Sequence, residues 1–130
     1  KDGYHVQMSG LHAAVGLAQL KRAEDILAKR EILGNRYCEL LPKAWRCQTY
    51  WYMPYLCDDE EEKERVKVAL TKADIGHRDF FPPITDNKPF ADGKSYPVAR
   101  NLYERGILLP IYPDLLFEEQ DIIIETIQSI

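Results

Sequence analysis

The sequence predicts an α+β fold in which a small antiparallel or mixed sheet of about three strands carries helices packed on one face. The first observation behind this is the order of the segments. Short β-rich or apolar runs alternate with helical ones, as helix, helix, strand, helix, strand, loop, helix, strand, helix. The second is length. A chain of 130 residues has the size of one domain, and we assign residues 1–130 to it.

The first third of the chain is predicted to be helical. Good helix formers dominate from Leu11 to about Leu41, Ser9 can act as the N-cap, and Pro42 ends the pattern. A helical run of this length usually bends or breaks in a small domain. We therefore expect two helices, with the break within residues 21–25.

The middle of the chain is predicted to form an edge strand and a third helix. Residues 48–57 read QTYWYMPYLC, an aromatic and β-rich pattern, and Pro54 within it indicates an edge or a bulge. The acidic residues at 58–64 indicate a helix start, because negative charge stabilises a helix N-terminus. This helix should end near residues 74–76, with Gly76 in a left-handed conformation.

The last third of the chain is predicted to alternate between short strands and helices. Pro, Asn, Asp and Gly are spread through one stretch, which indicates a loop. The expected elements are strands at 77–81 and 107–109, a loop at 82–95, a helix at 96–105 capped by Ser95, and a final helix at 118–130.

The composition argues against several classes of partner. The net charge is −4 and the isoelectric point is about 5.4, so nucleic acid and anionic membranes exert no electrostatic attraction. No apolar run approaches the roughly 20 residues of a membrane span. Three cysteines without CxxC spacing indicate thiols in a reducing, cytoplasmic compartment. His12 and His77 lack partners at metal-ligand spacing, so no metal site is predicted.

The opening segment carries the most specific pattern in the sequence. Residues 3–9 read GYHVQMS, and residues 11–20 continue as LHAAVGLAQL. This order resembles the Gly-Tyr-Asn-Tyr-Arg-Met motif and the following Ala-Ala-x-Gly-x-x-Gln-Leu helix of the DegT/StrS-like sugar aminotransferases. These are pyridoxal phosphate (PLP) enzymes of the aspartate aminotransferase fold group. Residues 75–83, IGHRDFFPP, are similar to a later block of perosamine-synthase-like members, and residues 106–113, GILLPIYP, to a closing one.

The resemblance implies that residues 1–130 are the small C-terminal domain of such an enzyme, without its large catalytic domain. It implies a nucleotide-sugar substrate, PLP in the intact enzyme, and a homodimer in which the motif Asn reaches the cofactor phosphate of the partner subunit. His5 stands at this Asn and is the candidate for the cofactor phosphate, because an imidazole can also donate a hydrogen bond. Gln7 stands at the motif Arg, a candidate substrate-binding position, but it lacks the charge and fork of arginine.

Arg78 is the stronger candidate for substrate contact. It precedes Phe80 and Phe81, so a cation and aromatic rings lie close together in the sequence and could meet the diphosphate or base of a nucleotide-sugar. The alternative is a surface arginine paired with Asp74 or Asp79. For Phe80, Phe81 and Phe90 we expect packing in the core or in a loop more than a platform for base stacking.

Two functions remain open at this point. The chain could be the C-terminal domain of an enzyme that transfers an amino group from glutamate to a keto-sugar nucleotide, needing a large catalytic domain or second subunit. It could instead be a non-catalytic regulatory or interaction module derived from that domain. PLP chemistry needs a Schiff-base lysine, and no lysine here stands in the family's Ser-x-x-Lys context. We therefore expect no cofactor and no transamination by this chain alone.

Overall fold

A computed structural model describes residues 7–130, and it confirms an α+β fold. The helices and strands alternate along the chain much as the sequence pattern predicts. The helices are α1 (Gly10–Leu20), α2 (Ala23–Leu40), α3 (Glu60–Lys72), α4 (Pro97–Arg105) and α5 (Phe117–Gln128), and the strands are β1 (Met53–Leu56), β2 (Arg78–Asp79) and β3 (Gly106–Leu109). Two short 3-10 turns, Ile84–Asp86 and Lys88–Phe90, interrupt the loop before α4.

The three strands form one antiparallel sheet in the order β1-β3-β2. Pro54 therefore lies in an edge strand, as predicted. An edge strand pairs on one side only, so it tolerates a residue without an N–H. All four residues of β3 are buried. Since side chains alternate across a strand, Ile107 and its partner Asp79 lie on one face, while Leu108 and its partner Arg78 lie on the other.

The hydrophobic core lies between the sheet and three of the helices. Apolar side chains on one face of α2, α3 and α5 meet Met53, Ile107 and Leu109 of the sheet. The helical members of this core are Leu33, Tyr37, Val66, Leu70, Ile123, Ile124 and Ile127. The buried Tyr37 hydroxyl donates to the Pro110 carbonyl at 3.1 Å, and burial raises its pKa well above the usual value.

The predicted break between the first two helices is confirmed at Lys21 and Arg22. Helix α1 begins at the predicted cap, since the Ser9 hydroxyl accepts from the His12 backbone N–H. None of its residues is buried, so α1 lies outside the core. The long apolar run at the start of the chain thus forms a helix that is exposed to solvent on all sides.

Helix α3 confirms the acidic helix start but corrects its predicted end. The Asp59 carboxylate caps the helix by accepting from the Glu62 N–H at 2.7 Å. At the other end Asp74, not Gly76, takes the left-handed conformation, with φ of 56°. The Ile75 N–H donates to the Leu70 carbonyl at 2.9 Å, which is the hydrogen bond of a Schellman motif. An aspartate tolerates this backbone conformation better than most residues.

Three other boundaries differ from the predictions. The segment predicted as a strand from Gln48 begins its ladder only at Met53, because residues 48–52 form bends and do not pair. The strand predicted at 77–81 keeps only Arg78 and Asp79. Ser95 does not cap α4, whose N-cap is Tyr96 without a side-chain bond. In the first two cases the strand-like sequence is longer than the hydrogen-bonded ladder. In the third, a residue suited to capping stands next to the helix start but does not cap it.

Residues 7–130 contain neither a membrane-spanning helix nor a cluster of metal-ligating side chains. No helix within residues 7–130 combines the length and the apolar character needed to cross a membrane. The same part of the chain contains no group of three or more His, Cys, Asp or Glu side chains that could hold a metal ion.

Candidate functional site

The candidate site is a cleft of about 400 Å³ at the end of β3, and Arg78 and Leu108 contribute to it from the face of the sheet opposite Ile107. Arg78 stands on this face because its strand partner is Leu108, whereas Asp79 points to the helices. The bent segment before β1 forms one wall with Trp51 and Tyr52. The cleft is lined by Arg30, Trp51, Tyr52, His77, Arg78, Gly76 and residues 108–112.

The first of two arginines in the cleft is the predicted Arg78. Its side chain is exposed, and Nη1 donates to the hydroxyl of Tyr52 at 3.4 Å. The alternative pairing of Arg78 with Asp74 or Asp79 is wrong, since among residues 7–130 no carboxylate lies within 4.0 Å of its guanidinium. Asp79 is occupied by two lysines on the other face of the strand. Arg78 therefore keeps most of its donors free for a ligand.

Arg30 is the second arginine, and sequence reasoning did not identify it as a site residue. It comes from α2 and is half-buried, and its Nη1 donates to the carbonyls of Tyr50 and Trp51 at 3.4 Å each. Its Nε is buried and has no hydrogen-bond partner in the described part of the chain. A buried donor without a partner is costly. Arg30 thus holds the bent segment in place and still has a donor to satisfy.

An aromatic cluster flanks the two arginines. Trp51 lies 4.7 Å from Tyr52 and 6.2 Å from Phe81 between ring centroids, and the Trp51 and Phe81 planes differ by only 21°. Tyr52 meets Phe81 edge-on at 5.5 Å. These contacts are typical of stable aromatic pairs, yet the Trp51 side chain is still 64% exposed. The cluster is a supported ring surface, neither core nor free loop.

His77 completes the polar edge of the cleft. Its Nδ1 lies 3.0 Å from the Ile75 carbonyl, and a carbonyl can only accept, so Nδ1 carries the proton. In this tautomer Nε2 is the nitrogen that can accept. The cleft can therefore offer both donors and an acceptor to a bound molecule.

An ion cluster of one carboxylate and two lysines fixes the strand that carries Arg78. The Asp79 carboxylate lies 3.2 Å from Lys63 Nζ and 3.3 Å from Lys67 Nζ, and Lys63 also donates to the Tyr103 carbonyl at 2.8 Å. Burial alone would raise the pKa of Asp79, but the two lysines outweigh it and hold that pKa below its usual value. Lys63 is one of two buried polar or charged side chains in the described part of the chain.

The structure brings only one predicted site residue into the cleft. Arg78 lines it, whereas Gln7 is exposed before α1 and does not. His5 lies outside the described residues. Sequence reasoning missed Arg30, Trp51 and Tyr52. The aromatic run was visible, but we interpreted residues 48–57 as one continuous strand, and Arg30 lies within the stretch predicted only as helix.

Comparison with known proteins identifies the family. Residues 1–128 match the DegT/DnrJ/EryC1/StrS aminotransferase family. The chain belongs to this family. GDP-perosamine synthase of Escherichia coli O157:H7 is 29% identical over an alignment of 136 positions, which covers 98% of this chain and 37% of that protein. The dTDP-4-amino-4,6-dideoxy-D-glucose transaminase of Escherichia coli is 30% identical, over 87% of this chain and 35% of that protein.

Solved structures of aminotransferases share the fold. Spr1654 from Streptococcus pneumoniae in its PLP form matches with a TM-score of 0.81 and 25% identity, over 95% of this chain and 36% of that one. PseC of Helicobacter pylori, an aminotransferase of pseudoaminic acid biosynthesis, gives a TM-score of 0.83 at 20% identity, over 99% and 39%. The chain thus spans little more than a third of the relatives that it matches.

Proposed function

We propose that this chain is the small C-terminal domain of a PLP-dependent nucleotide-sugar aminotransferase, which moves an amino group from glutamate to a keto-sugar nucleotide. The family match over residues 1–128, with little more than a third of each relative covered, carries this proposal. Two relatives whose names specify a nucleotide-linked sugar support the substrate class. The free cysteines fit a cytoplasmic enzyme.

In this proposal the chain shapes and recognises the substrate, and the remainder of the enzyme holds the cofactor. PLP supplies an electron sink for the amino transfer when it is bound. Lys63, the only buried lysine among residues 7–130, is bound by Asp79 and the Tyr103 carbonyl and faces away from the cleft. The lysines described here therefore do not fit the Schiff-base role, and we assign that role to the large domain.

Three residues of this chain receive roles in the intact enzyme. Arg78 contacts the anionic part of the substrate, because its guanidinium is exposed in the cleft and forms no ion pair with a carboxylate among residues 7–130. His5 donates to the cofactor phosphate of the partner subunit in a homodimer. Gln7 lies near the substrate and contributes a neutral amide, which binds an anion more weakly than the family's arginine.

Grafting this chain into a relative tests the proposal. We expect a chimera with residues 1–130 in place of the matching part of the Escherichia coli O157:H7 GDP-perosamine synthase to bind PLP and transfer an amino group, whereas the chain alone should not form lysine-linked PLP. Absorption spectra with PLP and a coupled assay of glutamate consumption would measure both.

The same chimera carries its own control. Arg78→Met should raise the KM of the chimera for the sugar nucleotide about tenfold, the loss expected for one charge-assisted contact. Arg65→Met, which removes an exposed arginine of α3, should not. A folded chimera without amino transfer, or a lysine-linked cofactor in the chain alone, would contradict the proposal.

Helix α1 is proposed as the docking face for the large domain. It contains no charged residue, and its apolar side chains are open, with Leu11 76% and Leu20 71% exposed. A helix that is apolar all round is normally buried. About two thirds of each relative has no counterpart in this chain, so the missing part is large enough to cover the helix.

If α1 docks on the large domain, substitutions in α1 should affect the stability of the chimera but not that of the chain alone. Leu11→Gln with Val15→Gln should change the unfolding free energy of the chain alone by less than about 0.5 kcal/mol, because neither side chain is buried. The matched core change Leu70→Ala should cost about 2–5 kcal/mol. In the chimera the α1 pair should lower the melting temperature. Urea unfolding and thermal melts would measure both.

Either of two results would contradict this assignment. One is a loss of stability in the chain alone comparable to Leu70→Ala, which would mean that α1 packs within the chain. The other is a dimer of the chain alone that the α1 substitutions dissolve, which would make the face a contact between two copies. Equilibrium sedimentation distinguishes the second.

The alternative, a non-catalytic interaction module, is favoured by one observation. The buried core of the sheet and three helices is continuous without any other domain. A folded chain whose chimera binds PLP but never transfers an amino group would favour this alternative over the enzyme.

A further inference from the structure

We propose that a second cavity of this chain, between the end of α3 and the start of α5, binds a small organic cation, an ammonium or guanidinium group carried on an apolar body. The cavity has a volume of about 350 Å³. It shares Gly76, Pro110 and Tyr112 with the cleft of Arg78, but no arginine lines it. The inference goes beyond the proposed function and uses only residues of this chain.

The cavity is lined largely by apolar side chains. Leu115 and Ile123 are buried, Ile75 is half-buried, and Ile122 is 55% exposed. Covering such side chains removes apolar surface from water, which favours a ligand with an apolar body. The volume is near the lower end of the range for small-molecule sites, so it suits a ligand of the size of an aromatic amine.

The charged side chains of the cavity are all negative. Asp74 and Glu119 line it, and no lysine, arginine or histidine of the described chain does. Within residues 7–130 neither carboxylate has a basic nitrogen within 4.0 Å. Glu119 Oε2 accepts from the Leu116 N–H at 3.0 Å and from the Tyr112 hydroxyl at 3.4 Å, which leaves Oε1 available. Two carboxylates without a cation therefore line one small cavity.

The position of Asp74 gives a second reason for a cation. It follows the C-terminus of α3, where the aligned carbonyl groups carry partial negative charge. A cation stabilises such an end and a carboxylate does not. Lys72 lies in the last turn of the helix but forms no ion pair with Asp74. A bound cation would reduce the repulsion between the carboxylate and the helix end.

Tyr112 adds an aromatic ring to the same cavity. Its side chain is 46% exposed, and its hydroxyl donates to Glu119, which holds the ring beside the carboxylate. The face of a tyrosine ring attracts a cation. The carboxylates, the ring and the aliphatic side chains together favour a positive charge on an apolar body over an anion or a neutral molecule.

Nuclear magnetic resonance with phenethylamine as the probe tests the site. The amine is protonated at neutral pH. Titration into the isotope-labelled chain should shift the backbone amides of Asp74, Gly76 and Ile122 and saturate, while the amides of α1 stay unchanged. Phenethyl alcohol lacks the charge, phenylpropionate reverses it, and ethylamine lacks the apolar body. Each should bind about tenfold or more weakly than phenethylamine.

Matched variants test the two carboxylates. Glu119→Gln removes the charge but keeps an oxygen that can accept from the Leu116 N–H, and Asp74→Asn keeps a residue that tolerates the left-handed conformation. Each should weaken phenethylamine binding about threefold to fivefold, the effect of one partly exposed ion pair. The control Glu118→Gln removes a neighbouring charge of α5 outside the cavity and should leave the affinity within about 1.5-fold.

Ile122→Gln tests the apolar lining. This side chain is more than half exposed, so the substitution should leave the fold intact while weakening phenethylamine binding at least about threefold. Val68→Gln changes a similarly exposed side chain of α3 outside the cavity and should have no effect on binding. Urea unfolding confirms that each variant is folded.

Three results would overturn the site. Shifts that never saturate, or that spread over α1, would mean that no defined site exists. Phenethyl alcohol binding as tightly as phenethylamine would mean an apolar groove without selection for charge. Equal losses in Glu119→Gln and Glu118→Gln would mean general attraction to an acidic surface. None of these results bears on amino transfer by the chimera, so the site and the proposed function are tested separately.

Discussion

Gly34→Ala should destabilise the chain by roughly 2–4 kcal/mol and disrupt the cleft, although alanine is the better helix former. Gly34 lies in the middle of α2 and is fully buried. A Cβ built there would stand 2.5 Å from Cδ1 of Tyr50 and 2.6 Å from Cδ2 and Cε1. The aromatic ring lies flat on the glycine, so no small adjustment of a side-chain tip removes the overlap.

The expected loss of unfolding free energy follows from the displacement of the Tyr50 ring. Overpacking a core costs typically about 1–3 kcal/mol, and expelling the Tyr50 ring forfeits a further share of its burial, about 1.5–3 kcal/mol when complete. Alanine returns about 1 kcal/mol of helix propensity. Because Arg30 donates to the Tyr50 and Trp51 carbonyls, displacement of Tyr50 should also move the Trp51 wall.

Gly16→Ala is the matched control for this prediction. Gly16 lies in α1, where an added Cβ meets nothing within 4 Å, so the same change should cause no loss of stability and should raise helix content. Urea unfolding measures the free energies, and Trp51 fluorescence reports the wall. Equal stability of the Gly34 and Gly16 variants would show that Tyr50 does not pack on α2 as described.

Asp79→Ala should cost about 2 kcal/mol, because it leaves the buried Lys63 without its carboxylate. Breaking a fully buried ion pair costs roughly 3–5 kcal/mol. Here the Asp79 side chain is 45% exposed and Lys63 keeps the Tyr103 carbonyl, so solvent reduces the loss. Lys63→Met should cost less, since it replaces the buried charge with an apolar chain of similar length.

The same pair predicts how stability depends on pH. The pKa of Asp79 is lowered in the folded chain, so its contribution is present above the unfolded value of about 3.9 and is lost as pH falls through the lower folded value. The difference in stability between wild type and Asp79→Ala should therefore shrink below about pH 4. A difference that stays constant from pH 7 to pH 3 would rule out the carboxylate as the cause.

Much of the fold could be predicted from local patterns. The helix break near Lys21, the acid-capped start of α3 and the edge position of Pro54 all depend on the chemistry of a few neighbouring residues. The errors occur where the residue composition is typical of a strand but no partner strand pairs with the segment. The segment 48–52 has the composition of a strand, but no neighbouring strand pairs with it.

The candidate site was only partly accessible to the same reasoning. Arg78 was identified because Phe80 and Phe81 follow it in the chain. Arg30 and Trp51 are 48 and 27 positions away from Arg78, and no spacing rule connects them. The pairing of Asp79 with Lys63 and Lys67, which frees Arg78 from a carboxylate, likewise depends on α3 packing against β2.

The sequence by itself determined the α+β class, most helix boundaries and the family resemblance, because capping, periodicity and short motifs are encoded within a few consecutive residues. Only the tertiary structure decided that Arg78 faces a cleft and Asp79 the core side. The two adjacent residues are separated by the pleat of a strand, and pairing of Arg78 with Leu108 chooses the face for each. Register is a relation between distant segments, so it becomes visible only when the sheet has formed.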